Sequence, residues 1–296
     1  MHRTRMLLGA VIILLASACS QFPGSSDEEA VGDVQISEAS PATEAAIDAY
    51  EPGSASVMDG WAGMTWQWQL DQPIDPSFDV DMYDIDLFDS DPGTVGALHS
   101  QSRMVICYIS VGSWEDWRPD AGQFPESVVG KNYDGWPGEK WLDIRQIDSL
   151  APIMRARFDE CKAKGFDGIE PDNMDAYNND TGFPLTYADQ LAYNIWLAKE
   201  AHSRGLSIGL KNDPDQAADL LPHFDWALTE DCFAEGWCEL MFPFIEAGKP
   251  VFAAEYTDMK ISLDDFCPQA KAWKFSAILK NRDLDAFMES CRQDFP

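Results

Sequence analysis

The stretch GFDGIEPDN, residues 165–173, decides the fold of this 296-residue chain. It opens on Gly165, which ends a helical pattern, continues through apolar residues and closes with two carboxylates and an amide. Side chains alternate with period two along a strand, so Gly168, Glu170 and Asp172 share one face. Carboxylates at the end of a buried strand cost desolvation energy unless they are paired with another group or serve a function. The stretch therefore predicts a short buried strand with acidic side chains at its carboxyl end.

A second apolar run, WALTE at residues 226–230, also ends in a carboxylate, that of Glu230. Two acids on two strand ends suit glycoside cleavage, in which one protonates the leaving oxygen and the other attacks the anomeric carbon or activates water. Asp172 and Glu230 are therefore the candidate catalytic pair. Glu170, on the same face as Asp172, is the alternative catalytic acid, or it holds a substrate amine. Either member of the pair could instead cap a helix or pair with Lys211.

Strand-like and helix-like runs alternate from residue 61 onward. The helical runs 147–163 and 187–203 each end near a glycine, and the second opens on the capping-box pattern of Thr186 and Asp189. Eight βα units predict an α/β fold, a single-domain (β/α)8 TIM-type barrel. A doubly wound open sheet is the competing fold, but the sequence has no glycine-rich first turn of that kind. The predicted strands are 65–70, 80–84, 104–109, 166–170, 206–210, 226–229, 250–254 and 273–278.

Polar residues collect where these predicted strands end, which is the functional face of such a barrel. Lys211 ends an apolar strand, and because an unpaired buried ammonium group is costly, we expect it to pair with Asp172, Glu170 or Glu230. An opposite charge would keep that carboxylate ionised, as a nucleophile requires. The predicted substrate-contacting residues are Asp84, Tyr108, Trp114, Glu170, Asn173, Lys211, Asn212, Glu255 and Tyr256.

A long loop is predicted after the third strand, at residues 111–146, and it is rich in tryptophan. Flat aromatic faces stack on sugar rings and contact cations. Most of these side chains are expected to pack under the loop, and at least one is expected to line the cleft. The tryptophans are Trp114, Trp117, Trp136 and Trp141.

The composition is strongly acidic, because 51 Asp and Glu residues oppose 21 Lys and Arg residues and give a formal net charge of −30. Phosphate binding requires a basic surface, so nucleic acid is not expected as a partner. An acidic surface attracts cationic partners over long range. The same charge could also serve only to keep an exported protein soluble.

The N-terminus carries the pattern of a bacterial export signal. Arg3 and Arg5 precede an apolar run too short to span a bilayer, so residues 1–18 are a predicted signal peptide. The following Cys19 sits in a lipobox-like sequence, which predicts a lipid anchor as the chain's sole membrane attachment; ordinary secretion is the alternative. Residues 19–60 are a predicted disordered acidic linker. Residues 61–296 form the predicted hydrolase domain, which we expect to be monomeric.

The cysteine count fits an exported protein. With Cys19 set aside, six of the seven cysteines remain, and they allow three disulfides in fifteen connectivities. Local spacing favours Cys232–Cys238 and Cys267–Cys291, which leaves Cys107–Cys161. The sequence has neither a CxxC pair nor a Cys/His cluster, so no metal and no other cofactor is predicted.

Five motifs in order resemble glycoside hydrolase family 114, the endo-α-1,4-polygalactosaminidases. The resemblance covers residues 61–296 and implies a barrel fold, hydrolysis of α-1,4-linked galactosamine polymers such as partly deacetylated galactosaminogalactan, and an acidic pair at Asp172 and Glu230. The motifs are CYISVGSWEDWRPD (107–120), KGFDGIEPDNMDAY (164–177), IGLKND (208–213), WALTEDCF (226–233) and KPVFAAEY (249–256).

By analogy with related α-retaining barrel enzymes, the resemblance implies that Asp172 is the nucleophile and Glu230 the acid/base. A carboxyl separation of about 5–5.5 Å would favour a retaining course, and one of about 6.5–9.5 Å an inverting course. The expected partner is then an extracellular, cationic polysaccharide, which the acidic chain would attract. Two alternatives stay open: a surface lipoprotein that binds polysaccharide without cutting it, and a hydrolase of a neutral α-glycan.

Overall fold

The structure is a computed structural model that describes residues 63–291. The predicted signal peptide, Cys19 and the predicted linker lie outside the described residues. Between residues 63 and 291, no helix is long and apolar enough to cross a membrane.

Strands and helices alternate along the described part of the chain, apart from one cluster of strands after β3. The strands are β1 (Trp66–Trp68), β2 (Met82–Asp86), β3 (Met104–Ser110), β4 (Ser113–Glu115), β5 (Val129–Asn132), β6 (Glu139–Leu142), β7 (Gly168–Asp172), β8 (Ser207–Lys211), β9 (Trp226–Glu230), β10 (Val251–Tyr256), β11 (Ser276–Lys280) and β12 (Met288–Ser290). The α-helices are α1 (Pro92–His99), α2 (Ile147–Lys164), α3 (Tyr187–Ser203), α4 (Ala217–Leu220), α5 (Cys232–Glu235), α6 (Phe242–Glu246) and α7 (Leu263–Trp273).

Eight parallel strands of residues 63–291 pair in the order β1-β2-β3-β7-β8-β9-β10-β11, and β12 adds to β11 in the antiparallel direction. The two edges of this sheet meet, because the Trp66 indole N–H donates to the Ser276 carbonyl at 2.9 Å and the Leu70 backbone N–H donates to the Leu284 carbonyl at 3.0 Å. The predicted (β/α)8 TIM-type barrel is confirmed, and each of the eight predicted strands overlaps one of these parallel strands.

The barrel interior is filled with large apolar side chains, so it is a packed core. Trp66, Trp226 and Phe252 are buried there together, with their rings in edge-to-face contact. Close packing fixes Gly209, because a Cβ at that position would lie 2.4 Å from the Trp226 ring. A second apolar cluster fills the space between the strands and the surrounding helices.

The two helices predicted in detail have the expected limits. Helix α2 ends at Gly165, which adopts a left-handed φ of 95° and lets its N–H reach back to the last carbonyls of the helix. Helix α3 begins with the capping box of Thr186 and Asp189, in which each side chain satisfies the other's backbone N–H. The predicted order of helix, glycine and strand is therefore confirmed at these two βα units.

All three predicted disulfides are present. Cys107–Cys161 joins β3 to α2, Cys232–Cys238 closes the segment after β9, and Cys267–Cys291 ties α7 to the residue that follows β12. Each bridge therefore fastens an outer segment to the barrel sheet or to a neighbouring turn.

The predicted loop at 111–146 differs from the structure, because it contains a three-stranded antiparallel sheet in the order β4-β6-β5. We call β4–β6 the inserted sheet. Its strands have three or four residues and carry charged side chains, so neither apolar alternation nor length distinguishes them from a loop. The inserted sheet stands beside the carboxyl end of β3 and forms one wall of the cleft described next.

Candidate active site

A cleft of about 720 Å³ opens at the carboxyl ends of the barrel strands. Side chains from the ends of β3, β7, β8, β9 and β10 form its floor, and the inserted sheet and the loops after β9 and β11 form its walls. Eleven acidic side chains line it, against three basic ones, Arg118, Lys211 and Arg282. The cleft is therefore strongly electronegative. Its acids are Asp71, Asp86, Asp89, Glu115, Glu139, Asp172, Asp175, Glu230, Asp231, Glu235 and Asp283.

Lys211 lies at the centre of the floor, with its side chain 1% exposed. Its Nζ contacts Glu170 Oε1 at 2.8 Å, Asp172 Oδ1 at 3.0 Å and Glu230 Oε2 at 3.1 Å. Burial lowers the pKa of Lys211, but the three carboxylates raise it by more, so it ends well above the usual value. The Trp68 ring covers the ammonium group at 4.5 Å. Lys211 thus stays charged and joins all three predicted partners.

Asp172 ends β7 and faces the cleft. Its Oδ1 contacts Lys211, and its Oδ2 accepts a hydrogen bond from the Tyr108 hydroxyl at 2.9 Å. Tyr108 stands opposite Glu170 in the β3–β7 register, two residue pairs before Asp172. Strand pairing therefore places a hydroxyl donor and an ammonium donor on the two oxygens of one carboxylate.

Glu230 ends β9 and also faces the cleft. Its Oε2 accepts from Asn212 Nδ2 at 3.2 Å and contacts Lys211, while its Oε1 accepts from the Tyr256 hydroxyl. Asn212 adopts a left-handed φ of 50°, and its Oδ1 accepts the Glu230 backbone N–H at 2.9 Å. Both oxygens of this second carboxylate are therefore held by donors from neighbouring strand ends.

Seven of the predicted site residues come together in this cleft, and four do not. The seven that line it are Tyr108, Asp172, Asn173, Lys211, Asn212, Glu230 and Tyr256. The four that lie elsewhere are Asp84, Trp114, Glu170 and Glu255.

Asp84 and Glu170 lie beneath the floor and are fully buried, so neither side chain is open to the cleft. Burial raises the pKa of Glu170 to about 8 and that of Asp84 well above its usual value. Within residues 63–291, both Asp84 oxygens and Glu170 Oε2 have no hydrogen-bond partner. The alternative role of Glu170, as catalytic acid or amine ligand, does not fit this burial; its other oxygen holds Lys211 from below.

Glu255 and Trp114 are used by the fold itself. The Glu255 carboxylate accepts the backbone N–H groups of Phe233 at 2.9 Å and Ala234 at 3.0 Å, at the start of α5. The Trp114 indole N–H donates to the Ala121 carbonyl at 3.0 Å within the segment after β4. Sequence position alone could not separate these structural partners from a ligand.

Asn173 lines the cleft, but its amide points into a buried network. Its Nδ2 donates to Ser110 Oγ at 2.9 Å, Ser113 Oγ at 3.1 Å and Glu139 Oε1 at 3.1 Å. Burial raises the pKa of Glu139 to about 7, although hydrogen bonds from Ser113 and Asn173 oppose that shift. Asn173 therefore attaches the inserted sheet to the end of β7.

The prediction that at least one tryptophan of the 111–146 segment lines the cleft is confirmed, but which rings do so was not predicted, nor were other cleft residues such as Tyr133 and Arg282. Trp117 and Trp136 are 51% and 49% exposed and line the wall formed around the inserted sheet, and Tyr133 stands between them along the chain. They belong to the tryptophan-rich segment that the sequence singled out, but the sequence could not tell which rings face the cleft. Arg282, from the loop after β11, has no motif that marks it. No group of three or more His, Cys, Asp or Glu side chains within 63–291 could hold a metal ion.

A (β/α)8 barrel with carboxylates on two strand ends, in a cleft at the carboxyl face, has the architecture of a glycoside hydrolase. Residues 47–296 match the sequence model of glycoside-hydrolase family GH114. The chain belongs to this family, as its motifs predicted.

Two solved structures and one further sequence are similar to this chain. Ega3 of Aspergillus fumigatus, solved in complex with galactosamine, is 39% identical; the match covers 78% of this chain and 96% of that one, with a TM-score of 0.73. The glycoside hydrolase domain of Pseudomonas aeruginosa PelA is 14% identical, over 76% of this chain and 97% of that one, with a TM-score of 0.60, which shows a shared fold. An uncharacterised protein of Deinococcus radiodurans is 26% identical over 92% of this chain and 96% of its own length.

Proposed function

We propose that this chain is an exported glycoside hydrolase that cleaves α-1,4 linkages within galactosamine-containing polysaccharide. The observation that carries the proposal is the pair Asp172 and Glu230, joined by the buried Lys211 at the floor of the cleft of a GH114 chain. The galactosamine bound by Ega3, which is 39% identical, supports the substrate class.

The charge of the cleft supports a cationic substrate. Eleven acids and three basic residues line it, and each of those basic residues contacts at least one acid. The free amine of a deacetylated galactosamine unit is positively charged at neutral pH, so this lining would attract and hold it. Attraction of this kind weakens as salt is added.

The catalytic roles follow from the two carboxylates. Asp172 attacks the anomeric carbon, the bond to the leaving oxygen breaks, and Glu230 gives its proton to that oxygen. Glu230 then takes a proton from water, whose oxygen attacks the same carbon and frees Asp172. Both acids contact one ammonium group at 3.0 and 3.1 Å, so their nearest oxygens lie closer than the lower limit of about 6.5 Å for inverting pairs. This upper bound lies below the inverting range and is compatible with the retaining course.

Export is supported by the three disulfides, which persist in oxidising compartments. The export signal predicted at residues 1–18 and the lipid anchor predicted at Cys19 complete this part of the proposal. Such an anchor would hold the enzyme at the membrane surface, where it would meet an extracellular polymer.

The proposal is tested by reducing-end release from partly deacetylated α-1,4-galactosamine polymer. We expect the full chain to cut the polymer and Asp172→Asn and Glu230→Gln each to lose at least about 10²–10⁴-fold in rate. Asp180→Asn is the matched control, because that acid is 83% exposed and pairs with Lys131 away from the cleft.

Two outcomes would overturn the proposal in different ways. Polymer binding without reducing-end release, by wild type and variants alike, would indicate a polysaccharide-binding protein. Equal rates on the fully N-acetylated polymer, unaffected by salt, would indicate a hydrolase of neutral α-glycans.

A further inference from the structure

Arg282 ties together the loops that follow three neighbouring strands, β9, β10 and β11. Its Nη1 donates to Asp231 Oδ2 at 2.7 Å, and its Nη2 and Nε donate to the two oxygens of Asp258 at 2.8 and 3.2 Å. Asp231 directly follows Glu230, and Asp258 comes two residues after Tyr256. The guanidinium group therefore holds the residue after Glu230 and the turn after Tyr256.

The same guanidinium group lies over an aromatic ring. Arg282 Cζ is 3.9 Å from the centre of the Tyr256 ring. Tyr256 is buried, and its hydroxyl donates to Glu230 Oε1. A cation over the face of a phenol draws electron density from the ring and strengthens its O–H as a donor. Arg282 thus reaches Glu230 through one side chain, without touching it.

The hydrogen-bonding groups around the Glu230 carboxyl indicate which of its oxygens carries the transferable proton. Glu230 Oε2 faces Asn212 Nδ2 and Lys211 Nζ, which are donors without a lone pair, so a proton on Oε2 would oppose their N–H bonds. Oε1 faces the Tyr256 hydroxyl, which can donate or accept. In the acid form proposed for Glu230 the proton is therefore placed on Oε1, and the Tyr256 hydroxyl orients this oxygen by donating to its remaining lone pair.

We propose that Arg282 is a positioning residue for proton transfer: it clamps Tyr256, and Tyr256 holds Glu230 Oε1 toward the leaving oxygen. The inference rests on the proposed role of Glu230 as acid/base. The positive charge of Arg282 would by itself disfavour a cationic substrate in this acidic cleft, and the proposal gives this residue a function there. Arg282 acts on the chemical step and contributes little to ground-state binding.

Leaving-group dependence provides the test. The steady-state ratio kcat/KM reports the first chemical step, in which a sugar leaving group needs a proton and a 2,4-dinitrophenyl group does not. On the polymer, we expect Arg282→Met and Arg282→Lys each to lower kcat/KM about tenfold or more. On a 2,4-dinitrophenyl α-glycoside of a galactosamine oligomer, we expect each variant to lower kcat/KM less than about twofold. Equal losses on both substrates would overturn the proposal, since a structural or binding role moves both.

A double-mutant cycle adds a second readout. Tyr256→Phe removes the hydroxyl while keeping the ring, so it should show the same leaving-group dependence. If Arg282 acts through that hydroxyl, then Arg282→Met in the Tyr256→Phe background should cost less than about twofold further. If the double variant instead loses the product of the two single-variant losses, Arg282 acts independently of Tyr256 and the proposal is overturned.

The controls separate this inference from the proposed function. Arg145→Met is matched, because Arg145 is likewise 36% exposed and likewise donates through two nitrogens to an acid, Asp143, outside the cleft lining. It should leave both substrates unaffected. Glu230→Gln must itself lose much more on the polymer than on the dinitrophenyl substrate. If it does not, the acid/base assignment fails; if it does while the Arg282 variants do not, the positioning role alone fails.

Discussion

Lys211 is the residue on which both proposed catalytic side chains depend, because its ammonium group contacts Asp172, Glu230 and the buried Glu170 together. The sequence predicted that a lysine ending an apolar strand would need an acidic partner. The number of partners depends on how strands β7, β8 and β9 lie side by side, which no local pattern contains. Three acids around one ammonium group keep the two cleft carboxylates close together.

We expect Lys211→Met to lower the free energy of unfolding by about 3–5 kcal/mol at pH 7, because it leaves the buried Glu170 and the two cleft carboxylates without a cation. Polymer hydrolysis should also be lost. Urea denaturation measures the first effect. The control is Lys131→Met, whose partner Asp180 is exposed, and whose loss should cost about 0–1 kcal/mol. Equal effects of the two substitutions would show that the Lys211 cluster does not stabilise the fold.

Glu139 makes stability depend on pH in a defined direction. Its pKa is about 7 in the folded chain against 4.5 in an exposed glutamate, with burial as the main cause. Between these values the unfolded chain releases a proton that the folded chain keeps, so stability falls as pH rises from about 4.5 to 7. Glu170 and Asp213, whose pKa values are raised to about 8 by burial, act in the same direction.

The substitution Glu139→Gln should remove its share of this pH dependence. A glutamine Oε1 can still accept from Ser113 and Asn173, while the ionisation is gone. Between pH 5 and pH 8, the free energy of unfolding should fall on the order of 2 kcal/mol less in the variant than in wild type. Calorimetric unfolding at both values measures it, with the exposed Glu126→Gln as control. Parallel losses in variant and wild type would contradict the assignment.

At the scale of elements, strand and helix periodicity predicted the barrel but missed its inserted sheet. The barrel strands are apolar runs that start soon after a helix-ending glycine, as at Gly165 and Gly205, so their positions can be predicted from the sequence. The observed strands β7 and β2 extend to Asp172 and Asp86, two residues beyond the predicted ends, because parallel pairing continues into the polar residues. The inserted sheet has short, charged strands, and its pairing partners are set only by the fold around it.

The segments that flank the strands of the inserted sheet supply the aromatic wall of the cleft, so their exposed rings should contribute to polymer binding. We expect Trp117→Ala and Trp136→Ala each to raise KM about three- to tenfold with kcat nearly unchanged, the cost of one aromatic contact to a sugar or amine. Leu240→Ala is the control, since Leu240 is 48% exposed and lies outside the cleft lining. A fall in kcat with constant KM would instead place these rings at the chemical step.

At the scale of the whole molecule, the sequence predicted the family, the barrel and the main cleft residues, because five motifs fall at the ends of consecutive strands. It did not predict which polar residues face the cleft: Asp84 and Glu170 lie below the floor, and Glu255 caps a turn of helix. Depth within the barrel separates a ligand from a buried partner, and depth is a property of the assembled sheet. The net charge of −30 likewise becomes informative once eleven acids are seen in one cleft.

The central claim is that Asp172 and Glu230 act as nucleophile and acid/base in a two-step displacement. The most direct measurement follows the anomeric proton of the new reducing end by NMR during the first minutes of cleavage of the α-1,4-galactosamine polymer by the full chain. Two successive inversions at the anomeric carbon predict that the α-anomer forms first and then mutarotates. Initial release of the β-anomer would show direct attack by water and would contradict the role of Asp172 as nucleophile.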